Sequence, residues 1–132
     1  MGMFDSYMIS QNFKCPNCGL EFNKEQDFQS KELECCLSVY QLGDIIDPNR
    51  RRVDFYGYCD NHYNRHDYDK PKNKDGEYPI IKASCKEGHF NCEVTINEKG
   101  IAIKEKVTMH DKKRGEDILI YIKEIYPKGG IR

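Results

Sequence analysis

The segment FKCPNCGLEF, residues 13–22, sets Cys15 and Cys18 three positions apart across a Pro-Asn-Cys-Gly turn. Two thiols presented by one tight turn can approach a single ion while nearby backbone N–H groups spread the thiolate charge, which is the chemistry of half a tetrahedral zinc site. A closed site needs four donors, so two more must come from elsewhere in the chain. A second segment, ASCKEGHFNC at 83–92, echoes the first: with Cys85 set against Cys15, Gly88 falls opposite Cys18 and His89 one position beyond it. Cys15, Cys18, Cys85 and His89 are therefore the expected ligands of a structural Zn2+ in a Cys3His site. The 66 residues between Cys18 and Cys85 exceed the roughly 15 to 20 of a compact ribbon. Two doublings of loop length cost only about 1.2 kcal/mol, against the roughly 10 to 16 kcal/mol apparent for structural zinc in small peptides.

A rival second half stands at Cys59 and His62, with the more usual Cys-x2-His spacing. Against it, Cys59 continues the alternation of Val53, Phe55 and Gly57, which suits an inward strand residue, and no glycine follows the turn. A third arrangement adds His66 to Cys59 and His62 as a separate metal site. The remaining cysteines read as thiols. Cys92 shares a strand face with Phe90, Val94 and Ile96 and is expected to be buried. Cys35 shares one with Leu33, Leu37 and Val39, while Cys36 points the other way with Ser38 and Tyr40. Seven cysteines in all suit thiolate ligands and buried thiols of a reducing compartment better than a disulfide set.

Other chemistry is thinly supported. The run CDNHYNRHDYD, residues 59–69, crowds histidines and aspartates into a polar stretch where a metal hydrolase site is conceivable. It lacks the glutamate that a metalloprotease helix places after its first histidine, and the reading is a solvated loop in a chain that is not an enzyme. Nucleic-acid binding would draw on Arg50–Arg52, on Lys112–Arg114 and on nine tyrosines able to stack on bases. Asp44, Asp47 and Asp54 flank the first basic cluster and Asp111, Glu116 and Asp117 the second, so the local charge is largely cancelled. With 21 basic and 22 acidic residues, no global field recruits nucleic acid or an anionic membrane. The expected output is recognition of a protein partner, through an exposed sheet edge or the polar loop.

The elements that must position these residues are strands. ELECCLSVYQL, VDFYGY, YPIIKAS, HFNCEVTI, GIAIKEKVTM and DILIYIKEIY are rich in branched and aromatic residues and separated by turn formers, so the expected fold class is mainly β: a small antiparallel sheet with a zinc-ribbon-like pair of knuckles and little helix. HFNCEVTI and GIAIKEKV are expected to form a hairpin closed by Asn97-Glu98-Lys99-Gly100, with Gly100 in the left-handed region. Residues 61–77, broken by Pro71 and Gly76, read as an exposed polar loop. The length suits one domain over residues 1–132. With 38% apolar and 33% charged residues the core is small, and a metal staple would support it. No membrane-spanning run or secretory pattern is read from the sequence, and a cytoplasmic location is expected.

The opening MGMFD, together with DFQSKELECCLSVYQLGD at 27–44, resembles a group of small uncharacterised bacterial and bacteriophage proteins that begin in this way and continue with a Phe-Gln-Ser/Thr-Lys segment, here Phe28 to Lys31. VDFYG and FNCEVTINEKG are similar to later parts of the group more loosely. The resemblance implies a β-rich fold, a phage or prophage setting in a host cytoplasm, and no assigned activity. Some members carry two cysteine knuckles, the second a Cys-x2-Cys before the last hairpin, from which Gly88 and His89 depart.

Overall fold

The computed structural model describes residues 3–126 apart from Glu25, Asp27, Glu34, 60–64, Ala83, Ser84, Lys86, Glu87 and Lys113. Its strands, in chain order, are β1 (Asp5–Met8), β2 (Phe13–Lys14), β3 (Glu21–Phe22), β4 (Phe28–Ser30), β5 (Val39–Gln41), β6 (Arg52–Tyr58), β7 (Arg65–His66), β8 (Ile80–Ile81), β9 (His89–Ile96), β10 (Ala102–Asp111) and β11 (Glu116–Glu124). No helix occurs among the described residues, and no helix is long and apolar enough to cross a membrane.

A period of two in the sequence makes the central strands. In β9, Phe90, Cys92, Val94 and Ile96 are buried while His89, Asn91, Glu93 and Thr95 are half-buried. In β6, Val53, Phe55 and Gly57 face inward between Arg52, Asp54, Tyr56 and Tyr58. The two strands pair antiparallel from Arg52 opposite Thr95 to Tyr58 opposite His89, which sets their buried faces side by side. The expected hairpin joins β9 to β10. Gly100 has φ +86°, and a Cβ there would lie 2.7 Å from the Pro48 nitrogen, so the turn admits glycine alone.

The main sheet has seven strands in the order β11-β10-β9-β6-β4-β1-β5, and it is mixed rather than purely antiparallel because β5 runs parallel to β1. The sheet curls: Gly43 N–H donates to the Ala102 carbonyl at 2.8 Å and Ile46 N–H to the Gly100 carbonyl at 2.7 Å, bringing the chain after β5 onto the start of β10. The parallel pair follows from a loop that carries the chain from β4, on one side of β1, to β5 on the other. Asp5, buried at the start of β1, accepts hydrogen bonds from the backbone N–H groups of Cys35 (2.9 Å), Cys36 (3.1 Å) and Ser38 (3.0 Å) and so ties that loop around the strand.

This corrects the reading of ELECCLSVYQL as one strand. Cys35 and Leu37 have φ of 56° and 60°, a left-handed backbone incompatible with an extended face, and the strand begins only at Val39. YPIIKAS shortens likewise to Ile80–Ile81, paired with Arg65–His66 in a separate two-stranded sheet. The expected polar loop thus contains the first strand of a hairpin, while residues 67–77 form its exposed turns. The other small sheet is β2-β3. It sits on the inner face of the main sheet through Phe13 and Phe22, stacked at 4.9 Å, each edge-on to Phe90 at 5.0 and 5.6 Å.

Candidate metal centre

The turn between β2 and β3 is the one read from FKCPNCGLEF. Cys15 N–H donates to the Leu20 carbonyl at 2.9 Å and Gly19 N–H to the Cys15 carbonyl at 2.8 Å, with Gly19 at φ +80°. This closes the chain into a knuckle that presents both sulfurs on one side. Facing them are Cys59, immediately after β6, and Cys85, just before β9. The sulfurs of Cys15, Cys18, Cys59 and Cys85 all lie within 4.8 Å of one another. The Sγ–Sγ separation is 3.6 Å for Cys15–Cys85 and 3.4 Å for Cys18–Cys59. Four sulfurs about 2.3 Å from a central zinc would stand about 3.8 Å apart at tetrahedral corners, whereas a disulfide needs about 2.05 Å. The group has the dimensions of a metal tetrahedron, and all four cysteines are free of disulfides.

Its electrostatics suit thiolates. Burial raises the Cys15 thiol above its ordinary value, and the backbone N–H groups of Cys18 and Asn17, donating to the sulfur, act in the opposite direction. The Asn17 side-chain amide donates to the Cys85 sulfur at 3.3 Å. Cys15, Cys59 and Cys85 are buried and Cys18 is exposed at the rim. Such N–H donors disperse thiolate charge and orient the ligands.

Three of the four expected ligands are brought together, and Cys59 stands in place of His89. The reason is the strand period. His89 pairs with Tyr58 across β6 and β9 and emerges with it on the outer face, their rings edge-on at 5.1 Å. Cys59, one residue on, turns to the inner face, where the knuckle lies, and its N–H donates to the Gly88 carbonyl at 2.8 Å. The alternation of Val53, Phe55 and Gly57 carries Cys59 inward, and inward is where the sulfurs gather. Its expected partner His62 lies outside the described residues. His66 is in β7 with Nδ1 3.2 Å from the Tyr78 carbonyl, and it does not join the cluster. Among the described residues this is the one group of three or more cysteine, histidine or acidic side chains spaced to share an ion.

Cys92 is fully buried in the sheet, where burial pushes its thiol well above the ordinary value and the Glu105 carboxylate adds to the rise. It is inert, as its strand face implied. Cys35 is half-buried and Cys36 exposed in the loop held by Asp5.

A second polar constellation escaped the sequence. Glu105 on β10 is fully buried and accepts hydrogen bonds from Tyr7 Oη (2.7 Å), Tyr121 Oη (2.6 Å), Ser10 N (2.9 Å) and Ser10 Oγ (2.8 Å). Burial and the carboxylate both push the two tyrosine hydroxyls far up, so they remain protonated donors. An isolated glutamate in a β-branched run gives no sign of four donors converging from two distant segments. The network ties β1, β10 and β11 together and is closed on itself, which suits a structural role.

The chain matches no protein-family model, no curated protein and no solved structure.

Proposed function

We propose that this chain is a structural zinc protein that works by binding another protein. The observation that carries the metal assignment is the four-sulfur group at tetrahedral spacing. An all-thiolate tetrahedron suits zinc or iron among the common metals. With every corner filled by the protein no position is left for water or substrate, which is the plan of a structural rather than a hydrolytic zinc site. Among the described residues His66 belongs to no group of side chains spaced to share an ion, which favours the structural reading over a hydrolase centred on residues 59–69.

The choice of a protein partner over nucleic acid rests on charge and on exposed apolar surface. Arg50 pairs with Asp47 at 3.6 Å and Glu32 at 4.0 Å. Arg52 pairs with Asp54 at 2.9 Å and Glu93 at 3.6 Å, and Arg114 with Asp111 at 3.7 Å and Glu116 at 3.9 Å. Guanidiniums already matched by carboxylates make poor phosphate contacts. By contrast Phe4, Gln29, Tyr56 and Tyr58 wall a cleft of about 480 Å³ on the outer face of the main sheet, beside Lys31 and Glu32. This gives the Phe-Gln-Ser-Lys segment a place: Phe28 packs inward under Gly57, whose Cβ would meet its ring at 3.2 Å, while Gln29 stands opposite Tyr56 on the cleft side. The resemblance of that segment to phage and bacterial proteins supports a host factor as the partner. The test is metal quantification on the purified chain, followed by titration with single- and double-stranded nucleic acids across a salt series. One zinc per chain with no salt-dependent nucleic-acid binding supports the proposal. A steep salt slope contradicts the choice of partner, and absence of metal contradicts the site.

A further inference from the structure

The four sulfurs come from three stretches of chain, and two of them bracket a single excursion. Cys59 directly follows β6 and Cys85 lies just ahead of β9, so the segment between them departs from the metal group and returns to it. Its described part, residues 65–82, is the β7–β8 hairpin. Neither strand pairs with the seven-stranded sheet, and no residue from 66 to 82 is buried. Its internal ties are short-range: Asp67 N–H to the Pro79 carbonyl at 2.8 Å, Asn73 N–H to the Glu77 carbonyl at 2.7 Å, and Tyr68 edge-on to Tyr78 at 4.9 Å. A two-stranded hairpin with no buried face is at best marginally stable in water. Yet this one displays Tyr68, Ile80 and Ile81, which are 71%, 58% and 44% exposed.

We infer that metal occupancy at Cys15, Cys18, Cys59 and Cys85 controls whether the β7–β8 arm is held in place. The inference rests on the metal-binding reading above. An ion bound by Cys59 and Cys85 closes the excursion at its base and joins both ends to the Cys15–Cys18 knuckle, which removes most of the arm's alternative positions. Without the ion, no described side chain of the arm is buried to take over. The main sheet keeps its own ladders, including seven residue pairs between β6 and β9. The consequence of metal loss is therefore local opening of the arm rather than unfolding of the sheet.

Hydrogen-exchange mass spectrometry on the full zinc-loaded chain, before and after chelation, tests this, with tryptic cleavage at Lys72 and Lys74 as a second readout. Chelation is expected to speed exchange across 65–82, and cleavage within it, by about tenfold or more, while peptides covering 89–111 keep their protection. Two variants sharpen the result. Cys59→Ser cuts the tie at the arm, whereas Cys18→Ser leaves Cys15, Cys59 and Cys85 to hold it, so the arm of Cys59→Ser should exchange faster than that of Cys18→Ser. Equal arm protection with and without bound metal overturns the inference and leaves the metal site standing. Protection lost together over 65–82 and 89–111 also overturns it, since the metal then supports the whole fold. A chain that takes up no metal overturns the metal-binding reading itself, and the inference with it.

Discussion

The body of the main sheet and the cysteine end of the molecule are stabilised by different means. Strands β6, β9 and β10 are seven to ten residues long and bury one continuous face, so apolar burial at about 25 cal/mol per Å² accumulates along them. The small sheets β2-β3 and β7-β8 have two residues per strand and cannot gather enough apolar area to offset the entropy of ordering them. Where the sheet ends, thiols replace hydrocarbon. The chain thus places the four cysteines that could hold a metal ion where its core runs out, and Phe13 and Phe22 on Phe90 mark the boundary.

The largest effect should come from breaking the cysteine end. Cys15→Ser or Cys85→Ser removes a buried thiol; loss of stoichiometric zinc and about tenfold or more faster exchange across 65–82, with residues 89–111 still protected, are expected, read by metal analysis and hydrogen exchange. Next, on the sheet side, Glu105→Ala leaves two tyrosine hydroxyls and Ser10 without their acceptor and should cost about 3 kcal/mol, with zinc content unchanged. If zinc is lost as well, the two regions are not separable in this way.

Alkaline titration distinguishes the regions again. The Tyr7 and Tyr121 hydroxyls are raised in the folded state, so their contribution is fully present below the unfolded tyrosine value of about 10 and declines above it. Thermal or urea stability should fall by about 1.4 kcal/mol per pH unit above that point from Tyr7, and by less from the part-exposed Tyr121. Glu105→Ala, which removes the carboxylate's share of the rise, should flatten the dependence. A smaller loss, about 1 to 2 kcal/mol, is expected for Asp5→Asn, which keeps one acceptor oxygen for three loop N–H groups. The smallest change belongs to His89→Ala: loss of an edge contact with Tyr58, under about 1 kcal/mol, and no change in metal content.

How much of this was legible in the sequence follows the same division. HFNCEVTI is β9 to the residue and VDFYGY falls within β6, because a strand with one buried face writes its period into the chain. The knuckle was legible too, since Cys15, Cys18 and Gly19 are local. The place of Cys59 in the cluster is legible only when the strand period is followed on both β6 and β9. An inward strand position counts against Cys59 as a ligand when taken alone, yet the same alternation puts His89 on the face away from Phe90 and Cys92. β1 leaves no mark in the sequence because DSYM is too short to show a pattern, and the loop beside it reads as a strand because nothing local reveals that Asp5 captures the amides of Cys35, Cys36 and Ser38. Glu105 shows the same limit, its four donors being distant in sequence.

The central claim is that thiolates from the knuckle, from the end of β6 and from the turn before β9 share one ion. X-ray absorption at the zinc edge of the purified chain, with His89→Ala alongside, tests it most directly. The account predicts four sulfur neighbours at about 2.3 Å in both proteins and loss of that shell in Cys59→Ser. A first shell of three sulfurs and one nitrogen that changes in His89→Ala would contradict it.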